Sequence, residues 1–263
     1  MLEKIIHIYV FLFANTLCEK FNKFLFRLSL GGLGVLNYKT SKVSGEHSFL
    51  KNYLPGKYGA LIDIGANEGN YSAEALSFNA EMRVYAIEPH PITFEILSVR
   101  FKDNESVIII NKGLSSASGI LNLYDYPDKD GSPHASLFAD VITDIHGAGT
   151  TVSHKVSLIT LDEFVEDQGI DEISLLKIDT EGNELEVLRG GIKTLKKKKI
   201  KAIHFEFNEM NVVSRCFFRD FWKILDQYKF YRLLPNGMLE IRNYTPLSCE
   251  IFAYQNIVAI LDE

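Results

Sequence analysis

Three places in this chain put carboxylates at the point where an apolar run gives way to a turn. The first is LIDIGANEGNY, in which Asp63, Gly65, Ala66, Asn67 and Gly69 close a short apolar stretch and open a helical one. Glycine lets the backbone approach a ligand closely, and the start of the following helix favours negative charge. Two features separate this turn from a dinucleotide site. Its spacing is GxxxG rather than the GxGxxG that wraps a pyrophosphate, and the GxxxxGK[ST] phosphate loop is absent. Asp63 inside the turn repels phosphate and suits a ligand carrying an ammonium or a sulfonium. The second place is Glu88-Pro89, about 20 residues beyond the turn, where an acid can accept hydrogen bonds from two ribose hydroxyls. NAD and S-adenosylmethionine sites share that acid; joined with Asp63, it favours S-adenosylmethionine. Beyond these, Gly113 and Leu114 in NKGLSS offer a backbone amide and an apolar edge for an adenine ring.

The third place is KIDTEG, with Asp179 and Glu181, followed one strand later by His204, Glu206 and Asn208 in HFEFN. Ligands of open α/β sheets bind beyond the carboxyl ends of the strands, and a hydroxyl nucleophile needs a base within hydrogen-bond reach. Asp179 and Glu206 are therefore expected to orient or deprotonate an acceptor, with Glu181 beside them. Alternation puts His204, Glu206 and Asn208 on one side of their strand, so Asn208 and His204 are expected to face the acceptor. Structural duties compete: Glu181 could cap the next helix, and His204 could be a hydrogen-bonded core histidine. Asp179, Glu206 and Asn208 could alternatively hold a divalent cation such as magnesium, although nothing in the spacing demands it and no metal is favoured. His134, in GSPHASL, is the histidine expected to contact the acceptor, whereas His146 reads as solvated.

The elements that must carry these residues follow an α/β rhythm. ALIDIG, RVYAIEP and SVIIINKG read as strands, with helices over 70–79 and 91–103 between them. Strands alternating with helices at this spacing imply a parallel sheet. After Gly113 the rhythm breaks into a short hairpin and an irregular Gly/Pro-rich loop, an insert over 115–155 of the kind that binds substrates. It resumes with EISLLKID, a helix over 183–198, IKAIHFEF, a helix over 214–229, and the closing strands FYRLLP and IFAYQNIVAIL. The lysine run 196–199 falls at a helix C-terminus, where cations are favourable.

A net charge of −6 gives no sign of a nucleic-acid partner, and Cys18, Cys216 and Cys249 form no CxxC pair, which fits a reducing, cytoplasmic setting. Residues 1–40 form a separate helical arm, and 41–263 one domain. The arm is too interrupted by Asn15, Glu19 and Lys20 to span a bilayer. It is expected to pack on the domain or a second subunit, or to lie on the cytoplasmic face of a membrane through Lys20, Lys23 and Arg27.

IDIGANEGNYS, AIEPHPITFEIL, NKGLSSASG, LITLDEF and LLKIDTEGNELEVLRG together resemble the FkbM-type methyltransferases, across roughly residues 46–207. The resemblance implies a Rossmann-like class I methyltransferase fold, with a mostly parallel seven-stranded sheet and helices on both faces. It implies S-adenosylmethionine as cofactor and S-adenosylhomocysteine as product. Asp63, Gly65, Asn67 and Gly69 would form the methionine-side turn, with Glu88 on the ribose and Asn70 and Tyr71 at the amino-acid end. The implied activity is O-methylation of a sugar, polysaccharide or secondary metabolite. A catalytically idle binding protein and an NAD-dependent oxidoreductase are the alternatives.

Overall fold

The computed structural model describes residues 1–262. Eleven strands form among the described residues: β1 (Ala60–Ile64), β2 (Val84–Ile87), β3 (Val107–Ile110), β4 (Gly113–Leu114), β5 (Gly119–Asp125), β6 (Val152–Ile159), β7 (Ile173–Ile178), β8 (Ala202–Phe207), β9 (Tyr228–Leu234), β10 (Gly237–Ile241) and β11 (Gln255–Leu261). Eight of them make one sheet in the order β3-β2-β1-β7-β8-β11-β9-β10. Strands β3, β2, β1, β7 and β8 run parallel, and β11 enters antiparallel between β8 and β9. The eighth strand, where seven are expected, is β10, which folds straight back on β9 with Gly237 opposite Leu234.

The five residues of β1 and the six of β7 are all buried, because helices cover both faces of the sheet. Such strands read as continuous apolar runs. Ile62, Ile64, Leu176, Ile178, Ile203 and Phe205 build one core, and Leu61, Val84, Ala86, Leu175, Ala202 and Val258 the other. Across the second face runs a row that breaks the apolar pattern. Asp63 on β1 is in register with Lys177 on β7, which is in register with His204 on β8.

Three expected elements differ. The helix expected over 183–198 is two short ones, Glu184–Arg189 and Ile192–Lys196. The chain breaks at Gly190, where a Cβ would lie 2.2 Å from the Ser115 carbonyl oxygen, so backbone crosses backbone there. The helix expected over 214–229 is confined to Phe218–Ile224. Tyr228, Phe230 and Arg232 alternate inward on β9 instead. The hairpin expected in the insert is longer than its sequence suggests: β5 pairs along its whole length with β6 across the loop 126–151, and β4 completes a three-stranded sheet. A π-helical turn, Val141–Ile145, lies between β5 and β6.

The arm is a hairpin of two helices, Leu2–Phe13 and Glu19–Gly32, joined by hydrogen bonds from Tyr9 and Asn22 and by the Phe13 and Phe21 rings. The first helix buries no residue, and Phe11 is 88% exposed. Contact with the domain is made beyond it, by Leu30 and by Val35, which bridges to Gln255. No helix among the described residues is long and apolar enough to cross a membrane.

Candidate active site

The glycine turn leaves β1 through the left-handed region. Gly65 has φ +77°, Asn67 φ 50° and Gly69 φ +78°. Gly65 has a second reason to lack a side chain, because a Cβ there would sit 1.8 Å from the carbonyl oxygen of Asp179. Gly69 begins the helix Asn70–Phe78 and packs against Phe101. The turn is held by Glu88 from the end of β2. One carboxylate oxygen accepts from the Asn67 amide at 2.9 Å and the other from the His90 amide at 2.8 Å. Burial pushes Glu88 up to about 7 despite these two donors. Asp63 is buried beneath the turn and accepts from the Ser72 hydroxyl at 2.6 Å; burial raises it to about 6.

Two adjoining hollows open at the carboxyl ends of the strands and form one cleft. The inner hollow is lined by Glu88, Pro89, Gly113, Leu114 and Glu181, and by Ser132, Ala135 and Leu137 of the insert. Asp63, Ala66, Asn70, Tyr71, Glu46 and Lys177 line the outer one. Gly65, Asn67, Pro133 and Asp179 line both. Of the residues expected to hold a cofactor, Gly69 alone stands off these walls.

Asp179 follows β7 and meets a cation that sequence reasoning missed. The Lys177 ammonium, 2% exposed, bonds the Asp179 carboxylate at 3.0 Å and lies 5.5 Å from the centre of the Tyr71 ring. Burial opposes its charge, but Asp179, Glu206 and Glu46 outweigh that and raise its pKa. The available signal was a lysine inside the apolar run ISLLKI. Glu46, outside every recognisable motif, had none. Of the three residues considered for a divalent cation, Asp179 is bonded by the Lys177 ammonium.

Glu181 stands at φ 52°, a conformation non-glycine residues seldom adopt, and one of its carboxylate oxygens is buried without a partner. Burial, reinforced by Asp179 and Glu184, raises it well above the usual carboxylate range. It does not cap the following helix. That helix has no side-chain cap, and its first residue, Glu184, accepts instead from the amides of Thr180 and Gly182 in the turn before it. Glu206 lines neither hollow, and burial together with Asp179 raises its pKa strongly.

Two expected acceptor contacts are corrected. His204 is fully buried with both ring nitrogens engaged, by the Tyr71 hydroxyl at 2.8 Å and the Asn256 amide oxygen at 2.9 Å. Alternation chose the side of the strand correctly, but that side is covered there by Tyr71 and Phe49. Asn208 is 5% exposed, and its amide is spent on the Met210 amide and Glu206. His134 is 43% exposed, bonds Glu181 at 3.2 Å and lines an open groove with Tyr126, Asp128 and Lys129. His146 is packed rather than solvated, its ring 4.5 Å from that of His134.

The strand order, with one antiparallel strand inserted beside β8, and a cleft at the strand ends define the Rossmann-like fold of the class I methyltransferases. The methyltransferase FkbM domain matches residues 63–232, and the chain belongs to that family. It is 30% identical over 153 residues to methyltransferase sdnD of Sordaria araneosa, covering 49% of this chain and 59% of that protein. It is 33% identical over 131 residues to the hexuronic acid methyltransferase AglP of Haloferax volcanii, covering 49% of this chain and 48% of that one. The chain thus spans about half the length of the curated relatives it matches. Among solved structures, a methyltransferase FkbM from Methylobacillus flagellatus aligns with TM-score 0.46 and 14% identity, over 77% of this chain and 43% of that one.

Proposed function

We propose that this chain is an S-adenosylmethionine-dependent O-methyltransferase whose acceptor is a hydroxyl of a sugar, a glycan or a glycosylated metabolite. The observation that carries this reading is the way the two hollows meet. Asp63 lines one, Glu88 lines the other, and Asp179 lines both. S-adenosylmethionine has the same layout, an ammonium-bearing chain and a nucleoside with the sulfonium at their junction. The residues fit that group: an acid buried in the turn, an acid at the end of β2, and Pro89, Gly113 and Leu114 as a weakly polar wall. When bound, the cofactor supplies an electrophilic methyl group.

The chain's own residues then have separate tasks. Asp63 would hold the ammonium, and Glu88 would accept from the ribose hydroxyls while its bonds to the Asn67 and His90 amides hold the turn. Asp179 would accept the proton of the acceptor hydroxyl on methyl transfer. Lys177 fixes the Asp179 carboxylate, and Glu181 stands beside it on the wall of the inner hollow. Orientation is the main contribution, worth about 7–11 kcal/mol in well-aligned intramolecular reactions. The hexuronic acid methyltransferase among the relatives supports a carbohydrate acceptor, as does a groove rich in Tyr126, Asp128 and Lys129.

Calorimetric titration with S-adenosylhomocysteine and, separately, NAD tests the reading. Saturable S-adenosylhomocysteine binding is expected, about 10- to 150-fold weaker in Asp63→Asn, as for loss of a hydrogen bond to a charged group. NAD is expected not to bind. A folded chain that ignores S-adenosylhomocysteine would end the proposal.

A further inference from the structure

We infer that His134, His146 and Glu181 form a binding site for a divalent transition-metal ion at the mouth of the cleft. One ligand atom from each lies within 4.8 Å of the others. His134 Nδ1 is 3.2 Å from Glu181 Oε1, and the two imidazole rings are 4.5 Å apart. Two atoms of this set are buried with no hydrogen-bond partner, His146 Nε2 and Glu181 Oε2. Buried polar atoms are nearly always paired, so two orphans in one cluster need an explanation. A shared cation satisfies both lone pairs.

The backbone carrying each ligand is fixed. His146 ends the π-helical turn, its amide bonded to the Val141 carbonyl at 3.1 Å, and such turns are frequent at functional sites. The His134 amide donates to the Ser132 hydroxyl at 3.2 Å. The Ser136 hydroxyl donates to the Glu181 carbonyl at 2.8 Å, tying the insert to the strained residue after β7. A second cluster, His90, Asp130 and His154, also has a buried ring nitrogen without a partner, His90 Nδ1, but the atoms that face one another in it are already paired. Both of its histidines hydrogen-bond through Nε2 to the same Asp130 oxygen, at 3.0 and 2.9 Å, so its ligand atoms already satisfy one another.

Two imidazoles with one carboxylate suit zinc, cobalt, iron or manganese rather than the all-oxygen shells of magnesium and calcium. Three protein ligands leave coordination positions open. Those positions lie between the inner hollow, which Glu181 lines, and the groove, which His134 lines. There the ion would grip neighbouring oxygens of the acceptor, a task that rests on the methyl-transfer reading although metal binding itself does not.

The test uses the full chain, stripped with a chelator and titrated with Co2+ and with Zn2+, followed by ligand-field absorption and calorimetry. S-adenosylhomocysteine titrations run in parallel. Saturable binding of one Co2+ per chain is expected, weakened at least about tenfold in His146→Gln and in His134→Gln and unchanged in His154→Gln. Retained S-adenosylhomocysteine binding in His146→Gln would show that the variant is folded. Absence of saturable binding by the wild-type chain overturns the inference, as does binding lost in His154→Gln but kept in His134→Gln/His146→Gln. Metal binding without S-adenosylhomocysteine binding would remove the methyl-transfer reading and leave the metal site standing.

Discussion

Lys177→Met removes the one ammonium in the row that crosses the sheet while keeping the length of the side chain. Lys177 is 2% exposed, and the carboxylates that act on it most strongly are Asp179, Glu206 and Glu46, with Asp63 in register on β1. Deleting one partner of a buried charge pair typically costs about 3–5 kcal/mol, because the other charge is left uncompensated. For a chain of this size each kcal/mol moves the melting temperature by about 2–4 °C, so a fall of about 6–20 °C is expected near pH 8. The pH dependence sharpens the test. Lys177 lowers the pKa of Glu46, Asp63, Glu181 and Glu206, so in its absence these groups titrate still higher in the folded variant. The folded variant then binds more protons than the folded wild type, while the unfolded chains differ only by a lysine charged throughout this range. The deficit must therefore grow as pH rises and shrink toward pH 5. Urea denaturation at pH 5 and pH 8 measures it. A deficit under about 1 kcal/mol at pH 8, or one that widens on acidification, would refute the assignment of Lys177 as the cluster's counter-charge.

Two further outcomes follow from the turn. Gly65→Ala brings a methyl group onto the Asp179 carbonyl, at a φ that alanine avoids; S-adenosylhomocysteine binding is expected to vanish from a chain still folded by circular dichroism, and near-normal affinity would contradict the close approach of β1 and β7. Glu88, raised from 4.5 to about 7, is protonated in the folded state at a pH where the unfolded chain has lost that proton. Its contribution is fully present below about pH 4.5 and is lost as pH rises through 7, a span of roughly 3 kcal/mol. Glu88→Gln should flatten that slope in urea titrations, and an unaltered slope would place the titrating group elsewhere.

The parts of this architecture legible in the sequence are those governed by local rules. Strand ends marked by Asp63, Glu88 and Asp179 were readable because a buried parallel strand is an apolar run and its termination at an acid stands out. The glycine turn is legible because Gly65 and Gly69 stand where a positive φ and a close contact both exclude a side chain. What escaped depends on residues distant in sequence. Lys177 looks like an interruption until Asp63 and His204 are found beside it in register. His204 and Asn208 were assigned to the acceptor because alternation gives a side but not what covers it. The hairpin of the insert is legible in GILNLYD, but its partner strand β6 lies beyond the loop 126–151, and Ile120 and Leu121 on the surface of β5 hide the usual alternation. The break at Gly190 is set by Ser115, in a different part of the fold.

The pairing of β1 with β7 also fixes a schedule. Asp63 lies opposite Lys177, a partner the ribosome adds 114 residues later (177 minus 63). At about 5–20 residues per second that interval is on the order of ten seconds. Until it ends, β1, β2 and β3 can form a ladder, but the β1 edge has no neighbour and exposes a row of unpaired amides and carbonyls. The centre of the finished sheet is thus its most vulnerable margin during synthesis. The cleft cannot exist before β7 arrives, so until then the nascent chain carries hydrophobic strands without the site they later form.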